Sequence, residues 1–363
     1  MKTYIKDQLL VPPFLVFFLV QCVQFGTGVL SFQRNVVKTS GHDAWIPILL
    51  NGLIVHVLIW MIYQILDKEK ADLIFIHEMT FGKWIGGLFS TLFILYSLSL
   101  SLITLRTFIE IVQVWMFPLL KTWPFALTFL LSVYYVVSNG FRTVTGICFL
   151  GVVIPFYLFF TFLVPLEFSH FRNLLPVFDH SFKEMVISLK ETTFSFVGFE
   201  FILLYYPFIH KPETSQKWAH WGNFLSMTVY LFIMVVTLVY FDLEHLKQTT
   251  WPTLTMWKII ELPFVERFEF IGIASWTFVI LPNLCVYLWA ASRGTRELIK
   301  IKQRKALIFF LFLCLIGNYF LKDHESIQML EKSISIVSRF TFYIYIPLLF
   351  IIYHVRFKVR KKS

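Results

Sequence analysis

Charged side chains are scarce in this chain of 363 residues. Asp, Glu, Lys and Arg make up 15% of the sequence, whereas an ordinary soluble domain contains about 25%. Hydrophobic residues make up 57% and aromatic residues 19%. With so little charge the chain cannot cover itself with a water-facing surface, so much of its apolar surface must face lipid. This composition excludes soluble globular, collagen-like, coiled-coil and disordered proteins and predicts an integral membrane protein.

Cysteine is also rare, and the common catalytic motifs do not occur. The four cysteines lie in uncharged stretches, without a CxxC pair or a His partner at metal-ligand spacing, which favours small buried residues over redox or zinc sites. They are Cys22, Cys148, Cys285 and Cys314. The sequence contains no HExxH, no GxSxG and no phosphate-binding GxxxxGKS/T motif. We therefore expect no metal, no cofactor and no enzymatic activity.

Long apolar runs, in contrast, occupy most of the chain. A helix needs about 20 apolar residues to cross about 30 Å of hydrocarbon. Ten segments have this character, and we expect one polytopic transmembrane domain over residues 1–363. The predicted spans are about 9–32, 44–66, 84–109, 123–141, 143–166, 190–209, 221–241, 270–292, 306–321 and 333–355. Three depart from the pattern, because 190–209 contains Glu200, 306–321 is short and 333–355 contains Arg339.

The positive charges lie mainly between these spans. Of the 32 Lys and Arg, 19 fall on the side of the two termini and 11 on the opposite side. Because positive residues favour the cytoplasmic side, both termini are predicted to be cytoplasmic. The net charge of +10 is concentrated in the 292–305 loop and in the tail. This placement argues against nucleic-acid binding, and it leaves contact with anionic lipid headgroups or with a cytoplasmic protein as alternatives.

Glycine interrupts two of the spans at a similar depth. Gly26, Thr27 and Gly28 lie inside the first span, and each glycine weakens a helix by about 1 kcal/mol. Gly198 lies close to Glu200 in the sixth span, and a carboxylate within the membrane usually faces the bundle interior. Interruptions five spans apart fit two inverted halves and indicate a binding site near the midplane. Close helix packing through small residues is the alternative for the first interruption.

A few charged or titratable residues remain inside the apolar segments. Arg106 and Glu110 are four residues apart on one face of the third span, where they could form a structural ion pair or a ligand clamp. A zwitterionic ligand would suit this region, with its carboxylate on Arg106 and its ammonium on Glu200 or Glu110. His56, midway along the second span, is predicted to be either a proton relay or a partner in an interhelical hydrogen bond.

Four short motifs together resemble those of one family. The chain has GTGVL in the first span, SFVGFE in the sixth, WPTL at residues 251–254 and PFVERFE from Pro263 to Glu269. This combination resembles the spore-germination permeases, the polytopic B subunits of germinant receptors in endospore formers. The resemblance extends over essentially the whole chain, and WPTL together with PFVERFE is its most specific part.

The resemblance implies an all-α integral membrane protein with the LeuT-like fold of the amino acid–polyamine–organocation transporters. In that fold a five-plus-five inverted repeat has broken first and sixth helices, and the breaks would fall at Gly26 to Gly28 and at Val197 to Glu200. The resemblance also implies a location in the spore inner membrane, with an A-type subunit and a lipoprotein C-type subunit as partners.

These expectations lead to one main functional hypothesis. The chain is predicted to be a transporter-like nutrient-sensing subunit that binds a small-molecule germinant, with an amino acid favoured, in a midmembrane cavity. An ion-coupled secondary transporter of amino acids or amines is the alternative, and a structural scaffold for a receptor is a third possibility.

Overall fold

The computed structural model describes residues 5–261, 263, 265–321 and 323–360. In these residues the chain is helical, and the one isolated pair of bridged extended residues is Val11 with Ile209. The α-helices are α1 (Leu15–Gln24), α2 (Phe32–Ser40), α3 (Trp45–Glu69), α4 (Leu73–Phe81), α5 (Lys83–Trp115), α6 (Thr122–Ser138), α7 (Phe141–Val153), α8 (Leu158–Thr161), α9 (Phe182–Thr192), α10 (Ile202–Tyr205), α11 (Gln216–Tyr240), α12 (Leu243–Gln248), α13 (Pro252–Trp257), α14 (Phe268–Ile299), α15 (Gln303–Phe320), α16 (His324–Phe340) and α17 (Ile346–Arg360). Lys361 and Lys362 of the predicted basic tail lie outside the described residues.

Seven helical stretches in the described part of the chain are long and apolar enough to cross a membrane. They are Trp45–Glu69, Lys83–Trp115, Phe141–Phe168, Pro212–Tyr240, Phe268–Ile299, Gln303–Phe320 and His324–Arg356. Three shorter apolar helices are Leu15–Gln24, Thr122–Ser138 and Phe199–Phe208. Each of these stretches overlaps one predicted span. The number of ten spans remains a prediction, because three of the helices are shorter than a bilayer requires.

Two helices begin earlier than hydrophobicity alone predicts. The last long stretch begins at His324 and not near residue 333, because the Asp323 side chain accepts a backbone N–H in the first turn and caps the helix. Helix α9 begins at Phe182, in the segment between the predicted spans 143–166 and 190–209. Its start is fixed by a reciprocal capping box between Ser181 and Glu184. Polar capping groups, and not apolar content, determine these two boundaries.

The first predicted span is interrupted, as the sequence indicated. After α1, the backbone is extended at Phe25 and Gly26, with φ of −99° and −139°. A 3-10 turn over Thr27–Leu30 then leads into α2. The Gly-Thr-Gly segment therefore marks a break in the helix.

The sixth predicted span is interrupted in the same way. Helix α9 continues as a 3-10 turn over Thr193–Phe196, and the second half of the span follows over Phe199–Phe208. Between them Val197 is extended, and Gly198 has a φ of 128°, a conformation that glycine adopts readily. A Cβ on Gly198 would lie 2.5 Å from Cγ1 of Val23 on α1. The two breaks therefore pack directly against each other.

The segment before α1 pairs with the far end of the sixth span. The Val11 N–H donates to the Phe208 carbonyl, and the His210 N–H donates to the Val11 carbonyl, both at 2.9 Å. On α14 the Arg293 guanidinium lies 5.0 Å from the centre of the Phe208 ring and forms an ion pair of 2.9 Å with Glu297. These contacts close this end of the bundle around both interrupted helices.

Candidate functional site

Three successive backbone carbonyls at the first break, those of Gln24, Phe25 and Gly26, accept hydrogen bonds from side chains of other helices. The donors are the Tyr230 hydroxyl on Gln24 at 2.9 Å, Nδ2 of Asn283 on Phe25 at 2.6 Å and Nε1 of Trp276 on Gly26 at 3.2 Å. Within hydrocarbon an unpaired carbonyl costs several kcal/mol. Helices α11 and α14 therefore stabilise the unwound backbone of the first span.

The Gln24 side chain connects the two breaks. Its Nε2 donates to the Phe196 carbonyl at 3.3 Å and to Oδ1 of Asn223 at 2.9 Å. Asn223 in turn donates to the Gly52 carbonyl of α3 at 2.9 Å. One buried amide thus fixes the end of α1 against the turn that precedes the second break.

The WPTL motif supports the first break from outside. The Thr253 hydroxyl donates to the carbonyl of Val29, in the 3-10 turn after the break, at 2.9 Å and accepts from Nε2 of Gln33 at 2.7 Å. In the PFVERFE motif Arg267 and Glu269 form an ion pair of 2.9 Å, and Phe264 lies outside the described residues. Through Thr253, the WPTL motif stabilises the turn that follows the first break.

Glu200 organises the second break. Its side chain is fully buried; Oε2 accepts the Gly198 N–H at 2.7 Å, and Oε1 accepts the Tyr96 hydroxyl of α5 at 3.0 Å. The Tyr96 hydroxyl also lies 3.2 Å from Oγ of Ser338 on α16. In the described part of the chain no cationic side chain lies within ion-pair distance of Glu200. The carboxylate therefore links the break to two neighbouring helices through neutral donors.

Unused polar atoms and open space lie beside the first break. Three buried amide oxygens, Oε1 of Gln21, Oε1 of Gln24 and Oδ1 of Asn283, have no hydrogen-bond partner among the described residues. A Cβ on Gly28 would meet no heavy atom within 4 Å. Since buried acceptors are normally satisfied, these oxygens suit a ligand that brings N–H donors, such as an ammonium group.

Arg106 and Glu110 on α5 contact the connection between α15 and α16. Arg106 Nε donates to the Leu321 carbonyl at 2.5 Å, and a Glu110 oxygen lies 2.5 Å from Nδ1 of His324. On α5, Arg106 is ten residues from Tyr96, which corresponds to about 15 Å. A small zwitterion held by Arg106 could not reach Glu200, so Glu110 remains the one predicted partner for its ammonium that fits this geometry.

The same cluster fixes the start of α16. Hydrogen bonds from Ser326 and, to a smaller degree, the charge of Arg106 lower the pKa of the Asp323 carboxyl. Asp323 caps α16 at its first turn. Arg106 and Glu110 thus attach α5 to the connection between α15 and α16.

His56 has a partner that the sequence did not indicate. Its Nδ1 lies 2.9 Å from Nδ1 of His220 on α11, and the two rings are stacked with centroids 5.1 Å apart. This contact is the interhelical hydrogen bond that was one of the two alternatives for His56. Among the described residues no group of three or more His, Cys, Asp or Glu could hold a metal ion.

Sequence reasoning missed most of the donors and acceptors around the first break. Gln21 and Gln24 are three residues apart on α1, and Trp276 and Asn283 are seven apart on α14, so each pair shares a helix face. Polar residues repeated at helical spacing inside apolar spans were the available signal. Glycines and charges stand out more strongly in the sequence than this polar spacing does.

Most of the chain matches one known protein family. Residues 10–327 match the family model described as spore germination protein. The chain belongs to the spore germination protein family. Proteins of this family are non-enzymatic and are either transporter-like or receptor proteins, as the sequence led us to expect.

Individual relatives and a solved structure agree with this assignment. The chain is 45% identical over 351 residues to the spore germination protein GerQB of Bacillus cereus, covering 97% of this chain and 98% of GerQB. It is 24% identical to the spore germination protein YndE of Bacillus subtilis (strain 168), covering 87% and 88% of the two chains. The fold matches MhsT in complex with L-phenylalanine with a TM-score of 0.67 at 13% identity, covering 97% of this chain and 89% of MhsT. The predicted LeuT-like fold is thereby confirmed.

The capping of the first break can be tested at Tyr230. Tyr230→Phe should lower the free energy of unfolding by about 1–3 kcal/mol, because the buried Gln24 carbonyl loses its donor. Thermal unfolding of the purified germination protein in detergent measures the effect. Tyr240→Phe, on the same helix, is the matched control and should change the stability by less than about 0.5 kcal/mol. Equal stability of the two variants would contradict the proposed capping role.

Proposed function

We propose that this germination protein is the transporter-like, nutrient-sensing subunit of a spore germinant receptor. It would bind a small germinant, with an amino acid favoured, beside the two helix breaks and trigger germination together with partner subunits. The main support is the set of unpartnered amide oxygens on Gln21, Gln24 and Asn283 around the first break, together with the open space at Gly28 in the same break. An amino acid brings the ammonium donors that these oxygens lack.

The proposed ligand-binding residues are those of the two breaks. Gly26, Thr27 and Gly28 would form one wall, and Val197, Gly198 and Glu200 would form the other. We propose that Arg106 and Glu110 attach α5 to the connection between α15 and α16 and do not line either wall. Glu200 would act by fixing the backbone of its own break, since its carboxylate accepts the Gly198 N–H.

Ligand binding would act by shifting a conformational equilibrium. A ligand favours one state only as far as it binds that state more tightly than the other. The breaks are the part of the bundle where backbone conformation can change without breaking a regular helix. A change at Gly198 would reach α5 and α16 through Glu200, Tyr96 and Ser338.

The proposed partners are an A-type subunit and a lipoprotein C-type subunit in the spore inner membrane. Relatives with names such as spore germination protein A2 and B2 of Bacillus subtilis (strain 168) support membership of such a receptor. Both termini are proposed to be cytoplasmic, on the basis of the distribution of Lys and Arg.

The ligand site can be tested at Gly28, where an added Cβ would meet no heavy atom within 4 Å. Gly28→Leu should fill the space beside the break and raise the germinant concentration for half-maximal germination by at least about tenfold, equivalent to about 1.4 kcal/mol. The measurement is the germinant dose-response of spores that carry the variant at normal protein level. Gly146→Leu is the control, because Gly146 also has no heavy atom within 4 Å of an added Cβ. An unchanged dose-response for Gly28→Leu would refute the site.

The alternative function is ion-coupled secondary transport of amino acids or amines. Its support is the similarity of the fold to MhsT. The two functions differ in flux. For a sensor, we expect reconstituted vesicles without partner subunits to take up radiolabelled amino acid no faster than protein-free vesicles. Gradient-driven accumulation abolished by Gly28→Leu would favour transport instead.

The orientation can be tested with single cysteines on either side of α15. All four native cysteines are buried and free, so an impermeant maleimide should react only with introduced residues. Glu325→Cys should be labelled in intact cells, whereas Lys302→Cys should be labelled only after lysis. The reverse pattern would show that the termini are outside.

A further inference from the structure

A groove runs along the outside of the bundle between α5 and the last long helical stretch. Its volume is about 340 Å³, and on α5 it extends from Phe89 to Ser99. On the opposite wall it extends from Leu330 to Tyr345 and includes the π-helical turn. We call this feature the α5–α16 groove.

The hydroxyl groups that line the groove already have hydrogen-bond partners inside the protein. They are those of Tyr96 (to Glu200), Ser99 (to the Leu95 carbonyl), Ser333 (to the Met329 carbonyl), Thr341 (to the Val337 carbonyl) and Tyr345 (with His77). A polar occupant would therefore find few donors to replace its hydrogen bonds to water, whereas a hydrocarbon has none to lose.

The groove has the length of one extended acyl chain. The segment from Phe89 to Ser99 spans about 15 Å along α5, which is about half of the hydrocarbon thickness of a bilayer. An acyl chain in one leaflet of the bilayer covers the same distance.

The groove is continuous with the lipid-facing surface. Its rim includes Leu92, Leu95, Val337 and Phe340, which are 45–52% exposed on helices long and apolar enough to cross a membrane. An acyl chain can therefore enter sideways from the bilayer.

A positive charge lies beyond the Tyr345 end of the groove. At this end Phe89 packs against Phe81, with ring centroids 4.8 Å apart. The side chain of Arg356, about 16 Å beyond Tyr345 along α17, donates to the carbonyl of Thr80, the residue before Phe81. A headgroup on this side of the groove would lie toward a cation, which favours an anionic lipid.

We propose that the α5–α16 groove binds one acyl chain of an anionic phospholipid, with the headgroup at the Arg356 end. The bound chain would contact Tyr96, whose hydroxyl donates to Glu200 at the second break. It would also contact the π-helical turn between α16 and α17, a type of irregularity that often occurs at functional sites. The lipid would thereby support the geometry of the break from the membrane side.

The test uses the full-length protein in nanodiscs that contain phosphatidylglycerol with a photoreactive diazirine on one acyl chain. After irradiation, labelled peptides are quantified by mass spectrometry. We expect labelling concentrated in residues 89–99 and 330–345, at least threefold stronger than with diazirine-labelled phosphatidylethanolamine. Val337→Trp should fill the groove and reduce this labelling at least fivefold. Ile336→Trp is the matched control, because Ile336 is exposed on the same helix but does not line the groove.

Four results would overturn the proposal. They are unchanged labelling in Val337→Trp, equal loss in Ile336→Trp, equal labelling by the two lipids, and crosslinks from a photoreactive residue at position 95 to another polypeptide in spore membranes. The experiment contains no germinant, so its outcome is independent of the proposed receptor function.

Discussion

The structure depends on satisfying the backbone N–H and C=O groups where two membrane helices are unwound. In water such groups would be hydrated, but within hydrocarbon each needs a partner inside the protein. The first break meets this requirement with donors from Tyr230, Asn283 and Trp276, and the turn that follows it meets it with Thr253. The same hydrogen bonds stabilise the break and fix the positions of helices α11, α13 and α14 around it. The positions of much of the bundle follow from this one constraint.

The second break solves the same problem in a different way. It supplies its own acceptor, Glu200, which binds the Gly198 N–H two residues earlier in the chain. A carboxylate fully buried among apolar helices is costly, and it is tolerated here because two donors converge on it. The consequence is an asymmetric pair of breaks. One break is stabilised by neutral side chains from its surroundings, and the other by its own carboxyl group, that of Glu200.

The sequence was sufficient to predict the membrane class and both interruptions, because glycine and charge stand out against apolar spans. The functional role of Glu200 stays a prediction. The family resemblance extended this to the LeuT-like fold. The donors around the first break could not be singled out, since Asn, Trp and Tyr are unremarkable in membrane helices until a carbonyl lies opposite them. Arg106 and Glu110 were correctly read as sharing a helix face. Their distance from Glu200 depends on which part of α5 packs against the second break. The sequence does not reveal this packing.

The pairing of Val11 with Phe208 and His210 has a consequence for cooperativity. Helix α1 and the second half of the sixth span are joined at one end through this pairing and at the other through the contact of Val23 with Gly198. Because α1 and the second half of the sixth span are joined at both ends, they move together as one rigid body. Two independent breaks would give four combinations of open and closed states, whereas joined segments give two. The two breaks would then change conformation together, as a single two-state element.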